Sequence, residues 1–364
     1  MTFKSVLAGI ALAISLALLP AATFAQEIPA GYPADYADLI AKARQEGRLS
    51  LYSATDEELA RDLLAAFSKK YGIPVDFTDM GTSTAYSRTI AEAAAKQTGG
   101  DIVWSSAMDL QLKLARDGYT ASYPSPETKK LPAWANYNDM VYATTIEPVG
   151  ILYNTKAFPD NSFPKTRAAL NLYLREHRAD LINKIATFDP EKSGIGFLMQ
   201  TNDARNYNGF WDMAKAMGGA KVKTYTATGT MRETVVSGEN IIAINVIGSY
   251  ALEWVKQTPN LGVAFGADYT AAFSRPAIIT KDAPHPHAAR LFLDFMLSKE
   301  GQTALSRHGL PSVRSDIEGE LDLISLNEKV GGNLKPIALD DSLLEYLNPK
   351  KRTAFFRQWN AAIK

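Results

Sequence analysis

Apolar positions along this chain recur with two alternating periods. Residues 48–54, RLSLYSA, form a short, mostly apolar run that reads as a buried strand. Three acids at 56–58 follow, and then Leu59, Leu63, Phe67 and Tyr71 recur every fourth residue, as on one face of a helix. Gly72-Ile73-Pro74 stops that helix and PVDFTD resumes as a strand. The cycle repeats: Gly81-Thr82-Ser83-Thr84 opens a helix through AYSRTIAEAAAK, and after Gly99-Gly100 a third strand, DIVWSS, leads into MDLQLKLARDG. Strands alternating with helices of this length predict βαβ units and a parallel sheet covered on both faces.

Beyond residue 142 the alternation continues. VYATTIEPVGILYN reads as extended, RAALNLYLREHRADLIN as helical, KIATF as extended, and SGIGFLMQTND as helical. Two more helices precede the strand in IIAINVIGSYALEW, which ends at Gly248-Ser249-Tyr250. LGVAFGADYTAAFSRPAIIT is extended again and returns the chain to the first lobe; the remainder is mostly helical. The expected fold is α/β with two lobes, each a sheet flanked by helices, and a ligand cleft between them. Residues 26–144 plus 266–364 are assigned to the first lobe and 145–265 to the second. Small ligands bind in such clefts, outside the C-terminal ends of parallel strands.

Composition narrows the setting. Residues 1–25 carry one cation, Lys4, then an apolar run from Val6 to Leu19 and small residues before Gln26, which is the pattern of a secretory signal cleaved after Ala25. The run is shorter than the ~20 residues of a membrane-spanning helix. Loss of Lys4 leaves 38 basic against 39 acidic residues, with no basic excess for nucleic acid. The chain has no cysteine, so neither a disulfide nor a lipid-bearing thiol is expected. These features predict a periplasmic monomer.

Several predicted strands end in small polar residues at a helix start: Ser53 and Thr55, Ser83 and Thr84, Ser105 and Ser106, Ser193 and Gly194, Thr228, and Gly248 with Ser249. A helix start exposes unpaired N–H groups and a partial positive charge, so several converging make an anion site without a fixed cation. Asp56 lies beside the first of these turns and would receive an ammonium group or a sugar hydroxyl, while Tyr250 would cap the ligand. Each residue has a plain structural reading as well, since Ser, Thr and Asp are ordinary N-caps. Four arginines and lysines lie near these loops: Arg88, Lys192, Arg205 and Arg275. The pair His285 and His287 invites a metal reading, with helix capping as its alternative. There is no G-x-S-x-G elbow, no thiol nucleophile and no histidine near a strand-end serine, so a hydrolase is the disfavoured rival.

RLSLYSATDEELARDLLAAFSKKYGIPV, GDIVWSS, PVGILYNTKAF, IIAINVIGSY and AARLFLDFMLSKEGQTAL together resemble the periplasmic solute-binding proteins of bacterial ABC importers, in the branch of ferric-ion and phosphate-ester or phosphonate binders. The resemblance implies a two-lobed binding-protein fold of type II, closure on a solute, delivery to an inner-membrane permease or docking on a sensor kinase, and no cofactor. Ferric members hold iron with two adjacent tyrosines, aided in some by a histidine and a glutamate. Aligned on Gly238-Glu239, those positions fall here on Gly248, Ser249, Asp56 and Ser106. None is retained, and ferric iron prefers hard anionic oxygens. The expected solute is therefore a small anion, a phosphorylated organic compound such as a sugar phosphate or an aminophosphonate, with no metal bound. Ferric-ion or ferric-chelate binding through Tyr250 is the alternative.

Overall fold

The computed structural model describes residue 28, residues 31–317 and residues 321–364. The 1–25 leader and its cleavage point lie outside them. The first lobe begins with helix α1 (Tyr36–Glu46), then strand β1 (Leu49–Ser53), α2 (Glu57–Tyr71), β2 (Val75–Asp79), α3 (Thr82–Ala94), β3 (Ile102–Trp104) and α4 (Met108–Arg116), followed by β4 (Asn136–Tyr137) and β5 (Val141–Ala143). β1 pairs in parallel with both β2 and β3, as the βαβ reading requires. In α2 the buried side chains are Ala60, Leu63, Phe67 and Tyr71, Glu57 and Glu58 stand in the first turn, Lys69 and Lys70 in the last, and Gly72 closes it at φ 73°. Charge thus complements the helix dipole at both ends, and glycine takes the left-handed cap at no steric cost.

The second lobe holds β6 (Glu147–Asn154), α5 (Arg167–Glu176), β7 (Ile185–Phe188), α6 (Gly194–Asn206), α7 (Phe210–Gly219), β8 (Lys223–Tyr225), α8 (Thr228–Ser237), β9 (Ile242–Ile247), α9 (Gly248–Gln257), β10 (Leu261–Ala264) and β11 (Thr270–Phe273). The chain then returns to the first lobe for β12 (Pro276–Ile279), α10 (Pro286–Leu297) and α11 (Lys299–Arg307). α12 (Leu323–Lys329), β13 (Leu334–Pro336) and α13 (Pro349–Ile363) complete it.

The two sheets have strand orders β2-β1-β3-β12-β5-β4 and β13-β11-β6-β9-β7-β8, with β10 also on β6. This corrects the lobe boundaries expected from the sequence. β11 and β13 belong to the second sheet and α13 packs on α7, so residues 266–274 and the tail after about 312 are second-lobe structure. The expected return to the first lobe occurs at Ser274-Arg275. Sheet pairing decides this, because short extended runs such as LKP carry no signal of which sheet they join. The chain therefore crosses between lobes three times: at 144–146, at 274–275, and near 310–314, where Ile146 N–H donates to the Pro311 carbonyl.

One core fills the first lobe around Phe67, Trp104, Phe292 and Phe295, and another fills the second around Phe210, Phe355 and Trp359. Ala107, the N-cap of α4, and Leu110 within it join the second lobe's core, so the lobes are in contact. At that contact Gly194 is required. A Cβ there would come within 2.9 Å of Leu110 Cδ1 and Thr82 Oγ1, and the Gly194 N–H donates to Thr82 Oγ1 at 3.0 Å.

Candidate ligand-binding cleft

The floor between the lobes is built from the crossing segments. Arg275 immediately precedes β12, and Glu147 is the first residue of β6. Burying a guanidinium is costly unless its charge and donors are matched. Here Nε and Nη2 donate to the two Glu147 oxygens at 2.6 and 3.1 Å, and Nη1 donates to Thr55 Oγ1 at 3.0 Å and to the Ala54 carbonyl at 3.3 Å. Burial alone would lower the Arg275 pKa; the Glu147 carboxylate outweighs it, and the net shift is upward. The second Glu147 oxygen also accepts from the Ser249 hydroxyl at 2.6 Å. The Tyr250 ring lies over the guanidinium, 5.1 Å away. Burial pushes the Tyr250 phenol upward, against the opposing pull of Arg275, so it stays protonated.

Above this floor opens a cleft of about 430 Å³. Two helix starts face it from opposite lobes: Gly81 and Thr82 of α3, and Ala227 to Thr230 of α8. Neither helix has a side-chain N-cap, which leaves first-turn N–H groups without intrahelical partners. Ser193 also lines the cleft but spends its hydroxyl capping its own helix, accepting from the Gly196 N–H at 3.2 Å. Ser106 differs. It lines the cleft at 2% exposure, and its hydroxyl has no hydrogen-bond partner among the described residues. Tyr250 and Trp254, edge to face at 5.7 Å, form an aromatic wall. Asp56, Asp79, Thr226 and Glu233 add to the polar lining, and among the described residues no lysine or arginine belongs to it.

Of the residues singled out from sequence, Asp56, Ser106, Ser193, Thr228 and Tyr250 therefore meet in one cleft. The others serve the framework around it. Ser53 Oγ accepts from the Thr55 N–H, Thr55 Oγ1 accepts from Arg275, and Ser105 Oγ accepts from the Ala107 N–H. Ser83 donates to the Lys192 carbonyl at 3.4 Å, and Thr84 sits on the exposed face of α3. Gly194 lies in the lobe contact described above. Gly248 lets α9 approach β6, since a Cβ there would meet the Pro148 carbonyl at 2.5 Å. Ser249 corrects an expectation: its hydroxyl is committed to Glu147, not offered to a ligand.

The four cations near these loops are all paired. Arg88 binds Glu92, Lys192 reaches Asp189, Arg205 reaches Glu345, and Arg275 holds Glu147. His285 and His287 form no metal pair, because each ring faces a separate carboxylate, Asp101 at 2.9 Å and Glu46 at 2.6 Å. Sequence reasoning missed Asp79, Glu233 and Trp254 in the lining and Glu147 in the floor. Asp79 was visible as a polar residue at the C-terminal end of a predicted strand. Glu147 lay in a run of apolar residues and had no such signal.

The model of the bacterial extracellular solute-binding protein family matches residues 49–310. Among solved structures, the substrate-binding protein of an ABC transporter from Agrobacterium tumefaciens is 35% identical, covers 87% of this chain and 94% of its own, and has a TM-score of 0.82. The periplasmic binding protein AfuA from Actinobacillus pleuropneumoniae, solved with exogenous fructose-6-phosphate, shares the fold at 21% identity and a TM-score of 0.71, covering 87% of this chain and 98% of its own. Iron-bound HitA from Pseudomonas aeruginosa shares it at 20% identity and 0.69, covering 86% and 99%.

Proposed function

Because the chain belongs to the bacterial extracellular solute-binding protein family, we propose that it is the solute-capturing component of an ABC importer, taking up a small phosphorylated or phosphonate-bearing compound in the periplasm and handing it to an inner-membrane permease. The observation that carries this reading is the pair of uncapped helix starts, α3 and α8, that face one cleft from opposite lobes. Their N–H groups would take an oxyanion from both sides, with the Ser106 hydroxyl as a further donor. Such a ligand bridges the lobes only when they are closed. It therefore favours the closed population by its differential affinity, and no chemistry on the solute is needed.

Ferric binding has one residue in its favour, Tyr250 in the lining. Its raised pKa opposes the phenolate that ferric iron needs, and its ring already covers Arg275. A thermal-shift panel on refolded, ligand-stripped protein separates the readings, using ferric citrate, inorganic phosphate, sugar phosphates, 2-aminoethylphosphonate and simple carboxylates. A compound at 100 times its Kd adds about 2.7 kcal/mol of stability, a shift of a few degrees for a chain of this size. A shift with a phosphate ester or phosphonate supports the oxyanion reading. A shift with ferric citrate alone overturns it.

A further inference from the structure

The charge on the cleft is at odds with a purely anionic solute. Among the described residues its lining contains three carboxylates and no lysine or arginine. Asp56, at the N-cap position of α2, and Asp79, the last residue of β2, belong to the first lobe, and Glu233 stands on α8 in the second; all three side chains are exposed. None of the three has an ion-pair partner among the described residues, and the one cation in the floor, Arg275, is already matched by Glu147. Partial desolvation and then the neighbouring charges of Asp56 and Glu57 raise the Asp79 carboxyl, which places several acids close together at this edge of the cleft. The unpartnered Ser106 hydroxyl, 2% exposed, independently marks the same cleft as a place for a ligand atom.

We propose that the solute is a zwitterion, with its oxyanion at the starts of α3 and α8 and a cationic nitrogen held between Asp56 and Asp79 of one lobe and Glu233 of the other. This rests on the solute-capture reading and deepens it. Closing the empty lobes brings like charges together across the cleft. A ligand nitrogen carrying positive charge removes that repulsion, so the cation helps to drive closure as well as to select the solute. No group of three or more His, Cys, Asp or Glu among the described residues is arranged to hold a metal ion, which favours an organic ammonium over a bare ion as the cation.

The test uses three probes of one size on the ligand-stripped full chain: 2-aminoethylphosphonate, ethylphosphonate and ethanolamine. The zwitterion is expected to bind at least tenfold more tightly by calorimetry than either half. Asp79→Asn should weaken the zwitterion about tenfold, one charge-assisted contact's worth, with ethylphosphonate unchanged or improved. Independently of any ligand, Asp79→Asn/Glu233→Gln should shift the ligand-free protein toward a smaller radius of gyration in solution scattering. Ethylphosphonate binding as tightly as the zwitterion overturns the ammonium site and leaves oxyanion capture standing. Ethanolamine binding alone overturns the oxyanion half. Silence from all three probes, with no change in radius for the double variant, overturns the reading of this cleft altogether.

Discussion

Arg275 and Glu147 meet where two of the crossing segments pass between the lobes, with N–O distances of 2.6 and 3.1 Å and no exposed surface on either side chain. Through Thr55 and Ser249 the pair touches the end of β1 in one lobe and the start of α9 in the other. Removing one member leaves a buried charge unmatched. Arg275→Met or Glu147→Gln is expected to cost about 3–5 kcal/mol of unfolding stability, while the double change Arg275→Met/Glu147→Leu should recover much of it. Chemical denaturation of the three variants checks this.

Two serines separate structure from binding. Ser249→Ala removes a buried donor to Glu147 and should lower stability by about 1–3 kcal/mol. Ser106→Ala removes a hydroxyl with no partner, so stability should stay within about 0.5 kcal/mol while solute affinity falls. Parallel denaturation and calorimetry would show the opposite ranking if the α9 turn were the ligand contact.

Gly194→Val should leave each lobe folded but prevent their contact, because its Cβ position is already within 3.0 Å of Leu110, Thr82 and Ala107. The melting temperature of the ligand-free protein should change little, whereas solute affinity should drop at least tenfold and the solution radius of gyration should grow.

Acid should help this protein over a defined range. Burial pushes the Asp109 carboxyl up to about 7 from an ordinary 3.8, against the opposing pulls of its helix N–H groups and Arg352. Burial likewise carries Asp294 to about 6, opposed by hydrogen bonds from Ser125, Tyr123 and Tyr36. The native state then holds protons that the unfolded state has lost, so stability falls as pH rises from about 4 to about 7. In Asp109→Asn the decline should end near pH 6, as seen in denaturation midpoints taken across that range.

Much of the fold was legible because buried parallel strands and amphipathic helices differ in period. The run from Leu49 to Asp79 shows both, and the structure follows it closely. The site was partly legible. A polar residue at a strand's C-terminal end is visible locally, which singled out Asp56, Ser106, Ser193 and Thr228. Whether its hydroxyl is free is decided by distant residues: Thr55 is taken by Arg275, 220 positions away, and Ser249 by Glu147, 102 away. The destination of the last 50 residues was illegible for the same reason, since α13 packs on α7 through tertiary contact alone.

β12 lies in the middle of the first sheet, between β3 and β5, although some 130 residues separate it from β5 in the chain. Strands β1 to β5 therefore emerge in order but cannot form one sheet until residue 279 has followed them, and the second sheet likewise waits for β13. During synthesis or translocation the first sheet must wait for residue 279 and the second for residue 336. The chain must stay open, with unpaired strand edges, until nearly its whole length is available, which predicts slow refolding governed by long-range strand insertion.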